Sequence, residues 1–114
     1  MKSAGFATIF LCAILIYVAN SAKAHEYPTP ALADYVFACM GSNGQTQEIL
    51  ERCSCSIDVI ASIVPYERYV QAETILRMRQ VSGEKSAIFR DGSEFKEIVD
   101  ELRGAQAEAE IRCF

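Results

Sequence analysis

The chain has a single histidine, His25, among its 114 residues. No serine–histidine, cysteine–histidine or paired-carboxylate arrangement stands out, so no catalytic residues are expected. At the start of an exported chain His25 would offer an amine and an imidazole to copper. Such sites want a second histidine, and there is none, so an unordered terminal residue is the expectation. There is no C-x-x-C-H sequence, which excludes a c-type haem, and the cysteines lack zinc-ribbon spacing. No cofactor or metal is therefore expected. Bases are scarce as well: eleven Lys and Arg against fifteen Asp and Glu give a formal charge of −4. That balance excludes the basic face of a nucleic-acid binder.

What is present starts with an address. Met1-Lys2-Ser3 is a short basic opening, an apolar run follows from Gly5 to Ala19, and Ala22-Lys23-Ala24 is a small-x-small site. This is the pattern of a secretory signal peptide, cleaved between Ala24 and His25. The run is short, with asymmetric flanks, for a transmembrane span, although an uncleaved anchor is the alternative. Cys12 does not fit a lipoprotein cysteine, because bulky Leu11 precedes it and apolar residues follow. Residues 1–24 are thus a leader and residues 25–114 a single domain. Loss of Lys2 and Lys23 leaves nine bases against fifteen acids. A domain of this size has a thin core, and small exported domains usually add staples.

The helical period dominates the rest. Pro28 and Pro30 forbid a helix before Thr29, which can cap a first helix carrying Leu32, Tyr35, Val36, Cys39 and Met40 on one face. Gly41-Ser42-Asn43-Gly44 ends it. A second helix spans about residues 45–64, capped by Asn43 or Thr46, with Ile49, Cys53, Ile57, Ile60 and Val64 as its stripe. A third runs from Pro65 or Tyr66 to Gln80, with Tyr66, Tyr69, Val70 and Leu76 inward and Ile75 and Met78 widening the apolar side. Glu73 and Arg77 are spaced for an ion pair. Residues 86–90 read as a connector or short helical turn. Asp91-Gly92-Ser93-Glu94 offers a cap for a last helix, whose stripe is Phe95, Ile98, Val99, Leu102, Ala105, Ala109 and Cys113. The fold class is all-α, a small bundle of about four helices stapled by two disulfides.

The cysteines are the candidate functional residues. Cys53-Ser54-Cys55 sits in mid-helix among Glu48, Glu51 and Asp58. A redox dithiol wants a helix N-terminus and positive neighbours, so structural disulfides to Cys39 and Cys113 are the stronger reading. At about 100° per residue the side chains of Cys53 and Cys55 diverge, which disfavours a bond between them. Cys53 lies on the core stripe and Cys55 on the outer flank. A short turn sets the first two helices antiparallel, which favours Cys39–Cys53 with Cys55–Cys113. Cys113 also falls on an apolar stripe that would suit Cys53, so Cys39–Cys55 with Cys53–Cys113 stays open. Asp91-Gly92-Ser93-Glu94 lacks a calcium-loop ladder. Arg77, Arg79 and Arg90 suit pairing with nearby acids better than an anion site.

Three functional classes follow: a non-catalytic binding or accessory module with a protein partner, a thiol-redox or metal carrier using Cys53 and Cys55, and a small stress or inhibitor protein. The segments Ala33-Asp34-Tyr35-Val36-Phe37-Ala38-Cys39-Met40, Cys53-Ser54-Cys55-Ser56-Ile57-Asp58 and Ala109-Glu110-Ile111-Arg112-Cys113-Phe114 add to the first. Across most of the domain the chain resembles small uncharacterised exported proteins that accompany periplasmic PQQ-dependent alcohol dehydrogenases and their cytochromes c. The resemblance implies an accessory role in periplasmic alcohol oxidation. It carries no activity motif and assigns no functional residue.

Overall fold

The computed structural model describes residues 26–81 and 83–114. The expected leader over 1–24, with Cys12 and the Ala22-Lys23-Ala24 site, and His25 lie outside the described residues. The described chain forms five helices: α1 (Thr29–Asn43), α2 (Gln47–Ile63), α3 (Tyr66–Gln80), α4 (Glu84–Asp91) and α5 (Ser93–Cys113). The all-α class stands, with five helices in place of about four.

Local chemistry sets each boundary. Pro28, in extended conformation, is the N-cap of α1, and its carbonyl accepts the Ala31 N–H at 2.9 Å. Thr29 is therefore already helical, and its side chain caps nothing. Pro30 occupies the first turn, where its missing N–H has no partner to lose. Helix α1 continues through Gly41 and ends at Asn43, within the stretch Gly41-Ser42-Asn43-Gly44 expected to stop it. Gly44 ends it with φ of +117°, a conformation that L side chains rarely adopt. Thr46 caps α2 as expected, its Oγ1 accepting the Ile49 N–H at 3.2 Å. Pro65 separates α2 from α3 and is the N-cap of the latter.

The largest departure lies in α4. Residues 86–90 belong to a helix of eight residues. Its own sequence stabilises it little, but its surroundings hold it. The Ser86 hydroxyl donates to the Gly83 carbonyl at 2.6 Å, and Arg79 Nε donates to the Phe89 carbonyl at 2.6 Å. Phe89 and Phe95 stack with ring centroids 5.0 Å apart. Gly92 joins α4 to α5 so tightly that a Cβ there would lie 2.8 Å from the Phe95 ring and 2.9 Å from the Ile88 carbonyl. The cap expected from Asp91-Gly92-Ser93-Glu94 does not form, because Gly92 itself is the N-cap and has no side chain to accept the free N–H groups.

Helix α5 is the spine. Helix α2 packs along one side of it and α3 along another, α1 lies on α2, and α4 fills the angle between α3 and α5. Ile57, Ile60, Val64, Ile75, Val99 and Leu102 fill the centre. On α3 the inward stripe is Tyr69, Ala72 and Ile75. Val70, expected inward, is 42% exposed. Ala72 is fully buried, and Val70, two residues earlier, points about 200° away from it. The expected Glu73–Arg77 pair does not form among the described residues. Instead Arg68 reaches across to Glu101 of α5 at 2.8 Å.

Tyr27 completes the core from outside the helices. It is buried, its hydroxyl donates to the Val64 carbonyl at 2.8 Å, and its ring lies 5.1 Å from those of both Tyr66 and Tyr69. Burial, followed by the neighbouring Tyr66 phenol, pushes its pKa up to about 12.

Candidate functional site

The four cysteines of the domain form two disulfides, Cys39–Cys53 and Cys55–Cys113, with Cα–Cα distances of 5.8 Å in each. The first ties α1 to α2 and the second ties α2 to α5. Helical geometry accounts for the choice. Cys53 is 0% exposed on the core stripe, whereas Cys55 is partly exposed on the flank that faces the end of α5. The sulfurs of Cys53 and Cys55 thus belong to separate bonds and form no dithiol. The three arginines considered for an anion site divide between different tasks. Arg79 is bound to the Phe89 carbonyl, Arg77 lines a groove with Asp34 and Glu73, and Arg90 is exposed on α4.

A cleft of about 360 Å³ opens beside the Cys39–Cys53 bond. Helix α1 supplies Asp34 and Tyr35, α3 supplies Tyr69 and Glu73, and α5 supplies Glu110, while Ser56 of α2 forms the floor. The lining holds three carboxylates and no Lys, Arg or His. The tyrosines register this environment. The Tyr69 pKa is raised, first by burial and then by Glu73, Tyr27, Tyr35 and Asp34. The Tyr35 pKa is raised by burial, then by Glu110 and Glu73. A narrower groove of about 200 Å³ shares Asp34, Tyr69 and Glu73 and reaches Arg77.

Carboxylates, hydroxyls and the Gln106 amide present hydrogen-bond acceptors to whatever enters. Among the described residues no side chain is hydrogen-bonded to the Ser56 hydroxyl. Among the described residues no three His, Cys, Asp or Glu side chains are grouped to hold a metal ion.

Sequence reasoning placed Tyr35 and Tyr69 on inward faces but picked none of these residues as a site. Their positions are far apart in the chain and come from four helices, so no local spacing announces them. One signal was available. Ser56 lies one residue before Ile57 on a helix whose stripe is otherwise apolar, and a serine there faces the core boundary.

A second cluster, which shares Phe114 with the cleft, closes the C-terminal end of α5. Arg52 donates to Glu48 at 2.7 Å and to the Phe114 backbone oxygen at 3.1 Å, and its guanidinium lies 5.7 Å from the centre of the Phe114 ring. These contacts hold the chain end beside the Cys55–Cys113 bond. Comparison of the chain with known protein families, with curated proteins and with solved structures finds no match. Among the described residues no helix is long and apolar enough to cross a membrane.

Proposed function

We propose that the protein is an exported, non-catalytic binding module that acts as an accessory to periplasmic quinoprotein alcohol oxidation. The observation that carries the reading is the acid-lined cleft between α1, α3 and α5, whose frame is anchored by a disulfide. Its lining offers hydrogen-bond acceptors, which suits binding. The two disulfides suit an oxidising compartment, and so does the signal-peptide pattern over residues 1–24. A protein partner is supported by Phe37 of α1 and Ile111 of α5, large apolar side chains that are both 80% exposed. The place in alcohol oxidation rests on the resemblance of the three segments around Cys39, Cys53–Cys55 and Cys113.

The test uses the native host growing on an alcohol. The tagged, exported protein is expected to begin at His25 and to co-purify with a quinoprotein dehydrogenase or its cytochrome c. Deletion is expected to slow periplasmic alcohol oxidation. Recovery of the tagged protein with neither component, together with unchanged oxidation in the deletion strain, would refute the reading.

A further inference from the structure

The two most deeply buried polar side chains of the cleft carry hydroxyls that no described residue bonds. Ser56 is 3% exposed and Tyr69 9%, and both line the cleft. Neither hydroxyl bonds to another described residue, and neither is sealed away from the cavity. Both side chains are more than nine-tenths buried yet leave their hydroxyls open to the cleft and unpartnered within the protein, so a guest that enters can bond to them in place of water. Around them stand the carboxylates of Asp34, Glu73 and Glu110, which can only accept when ionised. A guest with several N–H donors and a positive charge satisfies hydroxyls and carboxylates together. A volume of about 360 Å³ suits a small organic group rather than a bare metal ion, and the acids are not grouped to ligate one. Arg77 borders the adjoining groove beside Asp34 and Glu73, which leaves Glu110 the carboxylate with no base lining its side.

We propose that this cleft recognises a compact organic cation, an alkylammonium or alkylguanidinium group, through the Tyr69 and Ser56 hydroxyls with its charge balanced by Glu73 and Glu110. The proposal deepens the binding-module reading and rests on it. Such a cation has two sources, a free amine or a lysine or arginine side chain of a protein.

The exported protein with both disulfides intact is titrated with n-butylammonium, n-butylguanidinium, N-acetyl-lysine methylamide and N-acetyl-arginine methylamide, with butyrate as control, and backbone amide spectra are followed. Saturable shifts centred on Ser56, Tyr69 and Glu110 are expected with the cations and not with butyrate. The variants Tyr69→Phe and Ser56→Ala each remove one hydroxyl, and each is expected to raise Kd about tenfold, as is Glu110→Gln. Thermal melts of the variants establish that they are folded. Binding by the free amines supports a small-molecule source, and binding by the capped amino acids alone supports a protein side chain. No saturable binding by any of the four cations, or equal binding by the folded variants, overturns the site. That result would leave the partner reading intact, because co-purification from the host tests it independently.

Discussion

Replacing Cys39 and Cys53 together by alanine removes the bond that ties α1 to the rest of the domain. None of the fifteen residues of α1 is fully buried. Its hold is Leu32, Tyr35 and Val36, packed half-buried against the core, and the disulfide. Three half-buried side chains are worth roughly 3 kcal/mol together. Closing a loop of 14 residues is worth about 3 kcal/mol by the chain-entropy relation. The bond therefore supplies about half of what keeps α1 in place. In the double variant α1 is expected to open by itself, with a free energy at least about 1 kcal/mol below that of global unfolding. The Cys55–Cys113 bond closes a loop of 58 residues and is worth about 4 kcal/mol on the same relation. It joins α2 to α5, helices that already pack along each other, so its loss is expected to lower global stability without releasing a segment. Native-state hydrogen exchange separates the two cases. If α1 amides of the Cys39→Ala, Cys53→Ala variant exchange with the same free energy as those of α2 and α5, the reasoning is wrong.

Other outcomes follow from single groups. Leu102→Ala empties a fully buried position at the centre of α5. It is expected to cost about 2–5 kcal/mol in urea denaturation. Tyr27→Phe removes the hydroxyl bonded to the Val64 carbonyl, leaves that buried acceptor unpaired, and is expected to cost about 1–2 kcal/mol by the same assay. At high pH the folded state holds the Tyr27 proton more tightly than the unfolded chain. Its contribution is full below pH 10.0 and is lost as pH rises toward about 12. Urea midpoints should fall across that window, and Tyr27→Phe should flatten the fall. Arg68→Ala should cost under about 1 kcal/mol, because the pair with Glu101 is about one-third exposed on each side.

The period of apolar residues was enough to find α1, α2, α3 and α5, because the last three bury a stripe and α1 lays a half-buried one, Leu32, Tyr35 and Val36, on the core. It also separated Cys53 from Cys55, since two residues on a helix face nearly opposite ways. It missed α4, where the one fully buried side chain is Ser86 and the stabilising contacts come from Arg79 and Phe95. It misplaced Val70 for a related reason. Hydrophobicity favours the larger side chain, but the turn of the helix puts Ala72, not Val70, in the core. The cleft was illegible because it is made of polar residues from four helices, and no periodicity marks residues that meet only after packing. Tyr27 was hidden by its context, an extended leader between His25 and Pro28 that looks like solvent-exposed chain.

Tyr27 also bears on the order in which the domain assembles. Its hydroxyl partner, Val64, is 37 residues away, and its ring packs on Tyr66 and Tyr69. All three lie at the corner where α2 gives way to α3, so the contact has no surface to form on until that corner exists. Docking of Tyr27 is then a step on the native side of the folding barrier. Changes at Tyr27 should leave the refolding limb of a chevron plot nearly unmoved and shift the unfolding limb, so that the residue acts as a latch on the lifetime of the folded state.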